Sequence, residues 1–309
     1  MTQLFDLVFC GTPQFAVPTL QKLVERFNVR LVVTQPDRPK GRGLGLVPSP
    51  VKQAAEKLGL PIYQPEKIKQ NEELRAKLET IHPDAIIVVG YGRIIPPWML
   101  HLPQYGNINL HASLLPKYRG AAPIQWAIAN GEGVTGVTTM RIDEGLDTGD
   151  ILLQRRIEIR PKETGGSLHD RLAQIAPEAL LESLRLLAAG EAARIPQDNT
   201  QATYAPKLKR EHGQINWSES AEAIERKIRA FNPWPGAFMK LNDQNLKIFS
   251  GSAVGLNGNA GQILRSESDL VIAAGTGAVS LREVQLEGKR RMSAAEFLRG
   301  HAATFRGAP

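Results

Sequence analysis

Leu4-Phe-Asp-Leu-Val-Phe9, the helical stretch Phe15 to Arg26 that follows it, and then Val29-Arg-Leu-Val-Val-Thr34 set the fold class of this chain. Both apolar runs are short and rich in strand-forming residues, and Gly, Pro or Asn closes them, which is how buried strands read. The pattern recurs. Ala85 to Val89 and Asn107 to Leu110 are further apolar runs, and Pro50 to Leu58, Glu72 to Ile81 and Ala122 to Ala129 carry helical periodicity between them. Alternating strands and helices predict an α/β, Rossmann-like domain with a parallel-rich sheet covered on both faces. Ligands are then expected outside the carboxyl ends of the strands. A dinucleotide site is disfavoured, because Phe9-Cys-Gly-Thr-Pro13 offers one glycine where the fingerprint needs three.

Two more strands, Thr135 to Ile142 and Ile151 to Ile159, flank the acidic loop Asp143 to Asp150. Ser167-Leu-His-Asp170 reads as a capping-box start for a helix that runs to about Ala189 and is ended by Gly190. The expected organisation is a first domain over 1–189, a polar linker over 190–206 containing Pro196, Gln197, Asp198 and Asn199, and a second domain over 207–309. In the second domain a helix from Ser220 to Phe231 precedes short strands punctuated by glycines. Ser293-Ala-Ala-Glu296 opens a final helix. Many short strands at turn spacing predict a smaller β-barrel or sandwich.

With 42% hydrophobic and 22% charged residues among 309, the composition is that of a soluble globular chain. The single cysteine, Cys10, excludes an internal disulfide, and six scattered histidines without a ligand motif predict no metal. Neither a leader pattern nor an apolar run approaching about 20 residues is evident, so a cytoplasmic protein without a membrane partner is expected. The net charge of +7 is uneven: residues 205–309 carry 15 Lys+Arg against 10 Asp+Glu. A basic region of this kind favours a polyanion such as nucleic acid.

Three polar residues are expected near strand ends on the ligand edge of the sheet. Asn109 and His111, two apart in extended chain, point to the same side, and Asn109 interrupts the buried run Ile108-Asn-Leu110. Asp147 lies in a loop that Gly145 and Gly149 allow to bend. Taken singly, each residue also has an ordinary structural role. The longer string Asn107-Ile-Asn-Leu-His-Ala-Ser-Leu-Leu-Pro-Lys-Tyr-Arg-Gly-Ala-Ala-Pro-Ile-Gln-Trp126 resembles the signature of the folate-dependent formyltransferase family. The similarity extends from Phe9-Cys-Gly-Thr-Pro-Gln-Phe15 through Gln35-Pro-Asp-Arg-Pro-Lys-Gly-Arg-Gly43 to Phe231-Asn-Pro-Trp-Pro-Gly236.

The resemblance implies catalytic roles for Asn109, His111 and Asp147, and a folate site that includes Ser113, Leu114, Leu115 and Pro116, with Val88 to Arg93 as a pocket wall. It implies 10-formyltetrahydrofolate as cosubstrate, no metal, and methionine esterified to initiator tRNA as the formyl acceptor. In this scheme the amine attacks the formyl carbon, Asn109 and a protonated His111 stabilise the oxyanion, and Asp147 stabilises the amine and helps relay its proton. The Pro- and Gly-rich basic segment 35–52 is implied to meet the acceptor end of the tRNA through Arg42, with Arg38 and Lys40 beside it. An OB-type C-terminal domain is implied to follow the tRNA backbone, with Lys207, Lys209 and Arg210 as contacts and the run Lys289-Arg-Arg291 as a further basic cluster. A monomer is expected. A formyltransferase acting on a small amine, a hydrolase passing the formyl group to water, and a tRNA-binding protein without catalysis are the alternatives.

Overall fold

The computed structural model describes residues 5–40, 45–241, 243–265 and 269–305. They form two compact units that interleave in sequence. One holds the chain up to Pro123 with Thr135–Ile157 and His169–Ala205; the other holds Ile124–Val134, Glu158–Leu168 and the chain from Pro206 onward.

In the first unit, β1 (Asp6–Gly11), α1 (Val17–Val24) and β2 (Asn28–Val33) follow the predicted alternation. A hairpin of β3 (Arg38–Lys40) and β4 (Gly45–Val47) leads to α2 (Pro50–Lys57), β5 (Ile62–Tyr63) and α3 (Glu72–Ile81). Then come β6 (Ala85–Val89), α4 (Pro97–Leu100), β7 (Asn107–His111) and β8 (Arg119–Gly120). The chain passes through α5 (Pro123–Ala129), which past its first residue belongs to the second unit, and continues through β9 (Val134–Arg141), β10 (Ile151–Glu158), α6 (Gly165–Ala189) and β11 (Tyr204–Ala205).

The main sheet has the order β10-β9-β7-β6-β1-β2-β5. Five neighbouring strands, β5, β2, β1, β6 and β7, are parallel, and β9 runs antiparallel to β7. The chain leaves β1 to build β2 and β5 on one side and returns to place β6 on the other. The switch point of the topology therefore lies at the carboxyl ends of β1 and β6.

Both faces of the parallel strands are buried, which explains their continuous apolar runs. Val8, Cys10, Leu31, Val33, Ile86 and Val88 pack with Leu74 and Leu78 of α3 and Met99 and Leu100 of α4. Their neighbours Leu7, Phe9, Val32 and Ile87 are fully buried from the opposite side. Each such side chain contributes about 1.5–3 kcal/mol relative to exposure. Burial pushes the Cys10 thiol pKa far up, so it serves as a small apolar residue.

Three sequence expectations change. First, α6 starts at Gly165: the Thr164 hydroxyl accepts from the Ser167 N–H (3.1 Å) and the Ser167 hydroxyl accepts from the Thr164 N–H (2.9 Å). This reciprocal cap precedes the predicted Ser167 start, which Gly165 and Gly166, poor helix formers, conceal. Second, the stretch 190–206 is more than a linker. Ile195 exchanges backbone hydrogen bonds with Ile151 (2.9 and 3.1 Å), and β11 adds in parallel to β8. Third, the segment 35–52 contains the paired β3–β4 hairpin. Arg42 lies outside the described residues.

The second unit is built on an antiparallel sheet of β12 (Ala237–Leu241), β13 (Gln244–Val254), β14 (Ile263–Arg265), β15 (Leu270–Ala273) and β16 (Ala278–Leu286), with β17 (Met292–Ser293) paired to β16. Register shifts on either side of Ser250 bend β13, and the sheet curls into a half-barrel of the predicted kind. Ile224 and Ile228 of α7 (Ala221–Ala230) and Phe297 and Leu298 of α8 (Ala294–Phe305) fill its core. Ser293 caps α8 by accepting from the Glu296 N–H at 3.1 Å. Trp126 of α5 belongs to this unit: its indole N–H donates to the Pro206 carbonyl at 2.8 Å, and its ring meets His212 and Phe231 edge-on.

At the base of the hairpin, Lys52 Nζ donates to Asp37 Oδ2 at 2.7 Å and Gln64 Nε2 donates to Oδ1 at 2.8 Å. The Lys52 bond, and then that of Gln64, hold the Asp37 carboxyl below the usual carboxylate range. Its support is complete above the unfolded aspartate value of about 3.9 and is lost as pH falls through the lower folded value. At pH 7, Asp37→Asn should reduce amide protection in β3 and β4 by NMR, and the two proteins should converge in acid. Equal protection at pH 7 would refute the role of this carboxylate.

Candidate active site

On the face of β7, two side chains meet one carboxylate. Asn109 Nδ2 donates to Asp147 Oδ1 at 3.3 Å, and His111 Nδ1 lies 3.7 Å from Asp147 Oδ2. The Gly120 N–H donates to the same Oδ2 at 2.8 Å. His111 is buried, with Nε2 2.9 Å from the Tyr118 carbonyl oxygen. A carbonyl only accepts, so Nε2 carries a hydrogen and Nδ1 is the nitrogen turned to the carboxylate.

Asp147 reaches this place by a route the sequence did not suggest. Because β9 is antiparallel to β7, the loop 142–150 starts beside the first residues of β7, where the Ile142 N–H donates to the Asn107 carbonyl at 2.8 Å. It then returns along β7 to Asn109 and His111. Only His111 ends a strand; Asn109 is mid-strand, so the expectation of three residues at strand ends is corrected.

Local chemistry fixes the loop. Asp143 Oδ1 accepts from the Gly145 N–H (3.0 Å) and the Thr148 hydroxyl (2.6 Å). Asp147 itself adopts a left-handed backbone, φ 55°, which side-chain-bearing residues hold only when their surroundings enforce it. Gly149 sits so close to β9 that a Cβ would lie 1.9 Å from the Arg141 carbonyl oxygen.

The buried amide of the strand is Asn107, which donates to the Met99 and Leu100 carbonyls at 2.9 and 3.1 Å and so satisfies the end of α4. Asn109 is half-buried. Along the predicted folate stretch, the Ser113 hydroxyl donates to the Lys117 carbonyl (2.7 Å), and Leu115 packs with Met140 and Ile151. Thr138 and Gln154 hold this backbone, Thr138 Oγ1 donating to the Ser113 carbonyl (2.6 Å) and Gln154 Nε2 to the Leu115 carbonyl (2.8 Å). The side chains of Ser113 and Leu115 are thus turned into the fold, while Leu114 and Pro116 are half-buried.

Sequence reasoning missed Gly120, Arg119 and Gln197. Arg119 is 2% exposed, and its Nε and Nη2 donate to Gln197 Oε1 at 3.1 and 2.8 Å. Arg119 and Gly120 stood inside the family-like string; Gln197 stood among polar residues that read as a connection.

Arg38 is exposed, 3.9 Å from Glu66, and the backbone of Lys40 pairs with Gly45. In the second unit Lys207, Lys209 and Arg210 are exposed, and Arg210 lines a groove of about 460 Å³ with Trp234 and Lys247. Arg290 and Arg291 are paired with Glu296 and Glu283.

Residues 7–184 match the family described as formyl transferase, and residues 207–302 match the formyl transferase C-terminal domain. The methionyl-tRNA formyltransferase of Koribacter versatilis (strain Ellin345) is 57% identical over 297 residues, covering 96% of this chain and 95% of that one. The methionyl-tRNA formyltransferase of Acidobacterium capsulatum is 54% identical, covering 96% of each chain. Among solved structures, HypX from Aquifex aeolicus in complex with tetrahydrofolic acid shares the fold, with a TM-score of 0.61 at 19% identity. That match covers 99% of this chain, which spans 48% of the longer protein.

Gly149→Ala should cost about 1–3 kcal/mol through the clash with Arg141, seen as a melting temperature lowered by several degrees. An unchanged melting temperature would mean that the loop is not pinned there.

Proposed function

The chain belongs to the formyl transferase family, and on that premise we propose that it moves a formyl group from 10-formyltetrahydrofolate to the amine of methionine esterified to initiator tRNA. The observation that carries this reading is the single carboxylate shared by Asn109 and His111.

The amine nitrogen bonds to the formyl carbon and the carbonyl opens to an oxyanion. Asn109 Nδ2 has a second hydrogen beyond the one given to Asp147, and it is the donor assigned to that oxyanion. Asp147, fixed by the Gly120 N–H, lies beside the amine as it gains positive charge. His111 Nδ1, which faces this carboxylate, carries the proton onward. As the oxyanion closes, the bond from carbon to the folate nitrogen breaks and that nitrogen takes the proton the amine has lost. The steps balance without a covalent enzyme intermediate.

The folate is assigned to the crevice at the switch point. Its walls would be the loop after β6, where Ile94 is 84% exposed, and the backbone of Ser113 to Pro116 with the half-buried Leu114 and Pro116. Catalysis is assigned to 1–189, with 190–206 joining it to an OB-type tRNA-binding region over 207–309. There Lys207, Lys209, Arg210 and the exposed Trp234 suit a phosphate backbone with accessible bases. Arg42, Lys40 and Arg38 are assigned to the acceptor end of the tRNA. No helix among the described residues is long and apolar enough to cross a membrane. Work as a cytoplasmic monomer is part of this proposal.

Asn109→Ala and His111→Ala should each lower kcat by about a hundredfold to a thousandfold while tRNA affinity stays within about twofold of the parent. Joint loss of affinity and turnover would point to misfolding instead. Arg42→Ala should weaken binding of charged tRNA and reduce the salt slope by about one; an unchanged slope would remove Arg42 from the RNA.

A further inference from the structure

The stretch 190–206 reads as a linker, yet one of its side chains has all its hydrogen-bonding capacity committed to the active site. Gln197 Nε2 donates to the Asp147 carbonyl at 3.0 Å and to the Gly149 carbonyl at 2.8 Å. Its Oε1 accepts from Arg119 Nε and Nη2 at 3.1 and 2.8 Å. A carboxamide has two N–H donors and two acceptor sites, and all four are used. Its orientation is set by this count: turned over, it would aim an oxygen at two carbonyls and an N–H₂ at a guanidinium.

The same stretch holds the opposite side of the site. Arg119 Nη2 also donates to Asn199 Oδ1 at 2.9 Å, and the Arg119 N–H donates to the Thr203 carbonyl at 2.9 Å. The Tyr118 N–H donates to the Thr203 hydroxyl at 2.9 Å, and β11 pairs Tyr204 with Arg119 and Ala205 with Gly120. Tyr118 in turn receives His111, and Gly120 binds the Asp147 carboxylate. Gln197 therefore ties the backbone of the Asp147 loop to the side chain of Arg119, which sits between the two residues that meet His111 and Asp147, and it does so at a residue whose left-handed backbone must be held in place.

We propose that Gln197 is a positioning residue for formyl transfer, clamping the Asp147 loop to Arg119 so that the carboxylate stays against Asn109 and His111; this rests on Asp147 being catalytic. Neither Gln197 nor Arg119 needs to touch a substrate. A displacement near 1 Å at a reacting centre costs on the order of a hundredfold in rate, and loss of both loop hydrogen bonds removes the restraint against such a shift.

The test uses the full-length protein with 10-formyltetrahydrofolate and methionine-charged initiator tRNA. Gln197→Leu removes the whole clamp. Gln197→Glu keeps the contact to Arg119, now as an ion pair, but sets a carboxylate oxygen against the two loop carbonyls. Both should lose on the order of a hundredfold in kcat with each KM within about threefold of the parent. Where Gln197→Leu fails to fold, Gln197→Glu carries the test through its retained Arg119 pair. A positioning role also predicts that Gln197→Glu costs little further in an Asp147→Asn background. Parent-like kcat in Gln197→Glu, or a full additive loss in the double variant, overturns the proposal while leaving Asp147 catalytic. Parent-like activity in Asp147→Asn would instead overturn the catalytic reading of Asp147 itself.

Discussion

Holding the Asp147 carboxylate in a half-buried place, on a backbone that side-chain-bearing residues avoid, is the constraint around which the first unit is arranged. Its two oxygens are met by the Gly120 N–H and by Asn109, and its carbonyl by Gln197. The strain is local and the support is not: β7, β8, β9 and the stretch after α6 each supply one part. In the formyl transfer proposed here, donors fixed in this way would need no rearrangement as charge develops beside the carboxylate. Glycine is required where the pieces touch, as at Gly149 against Arg141.

The parallel strands serve this arrangement by being unremarkable. Their side chains are buried on both faces, so the ends of β6 and β7 are fixed by packing, and a polar residue on β7 projects from a rigid strand. The antiparallel β9 lets a loop return along β7 and deliver an acid to the middle of the strand. In the second unit the curled sheet, closed by α7 and α8, presents basic side chains and an exposed tryptophan while keeping its own core.

Much of this was legible in the sequence, for identifiable reasons. Continuous apolar runs gave the buried strands, and the two-residue period put Asn109 and His111 on one side, where both meet Asp147. Periodicity could not reveal β5, which has two residues, or the β3–β4 hairpin, whose short pairs lie among prolines and glycines. The start of α6 was hidden by a glycine pair behind its true cap. Asn107 and Asn109 look alike in sequence, and only the fold makes one a helix-end cap and the other a partner of Asp147. Gln197 was invisible because its meaning is entirely tertiary: nothing near it in the chain distinguishes a clamp from a solvated turn.

The decisive measurement is single-turnover formyl transfer from 10-formyltetrahydrofolate, with methionine-charged initiator tRNA and methionine-charged elongator tRNA compared side by side. Formylmethionine should appear rapidly on the initiator and scarcely on the elongator. Release of formate to water, or transfer to a small amine with none on either tRNA, would contradict the proposed function.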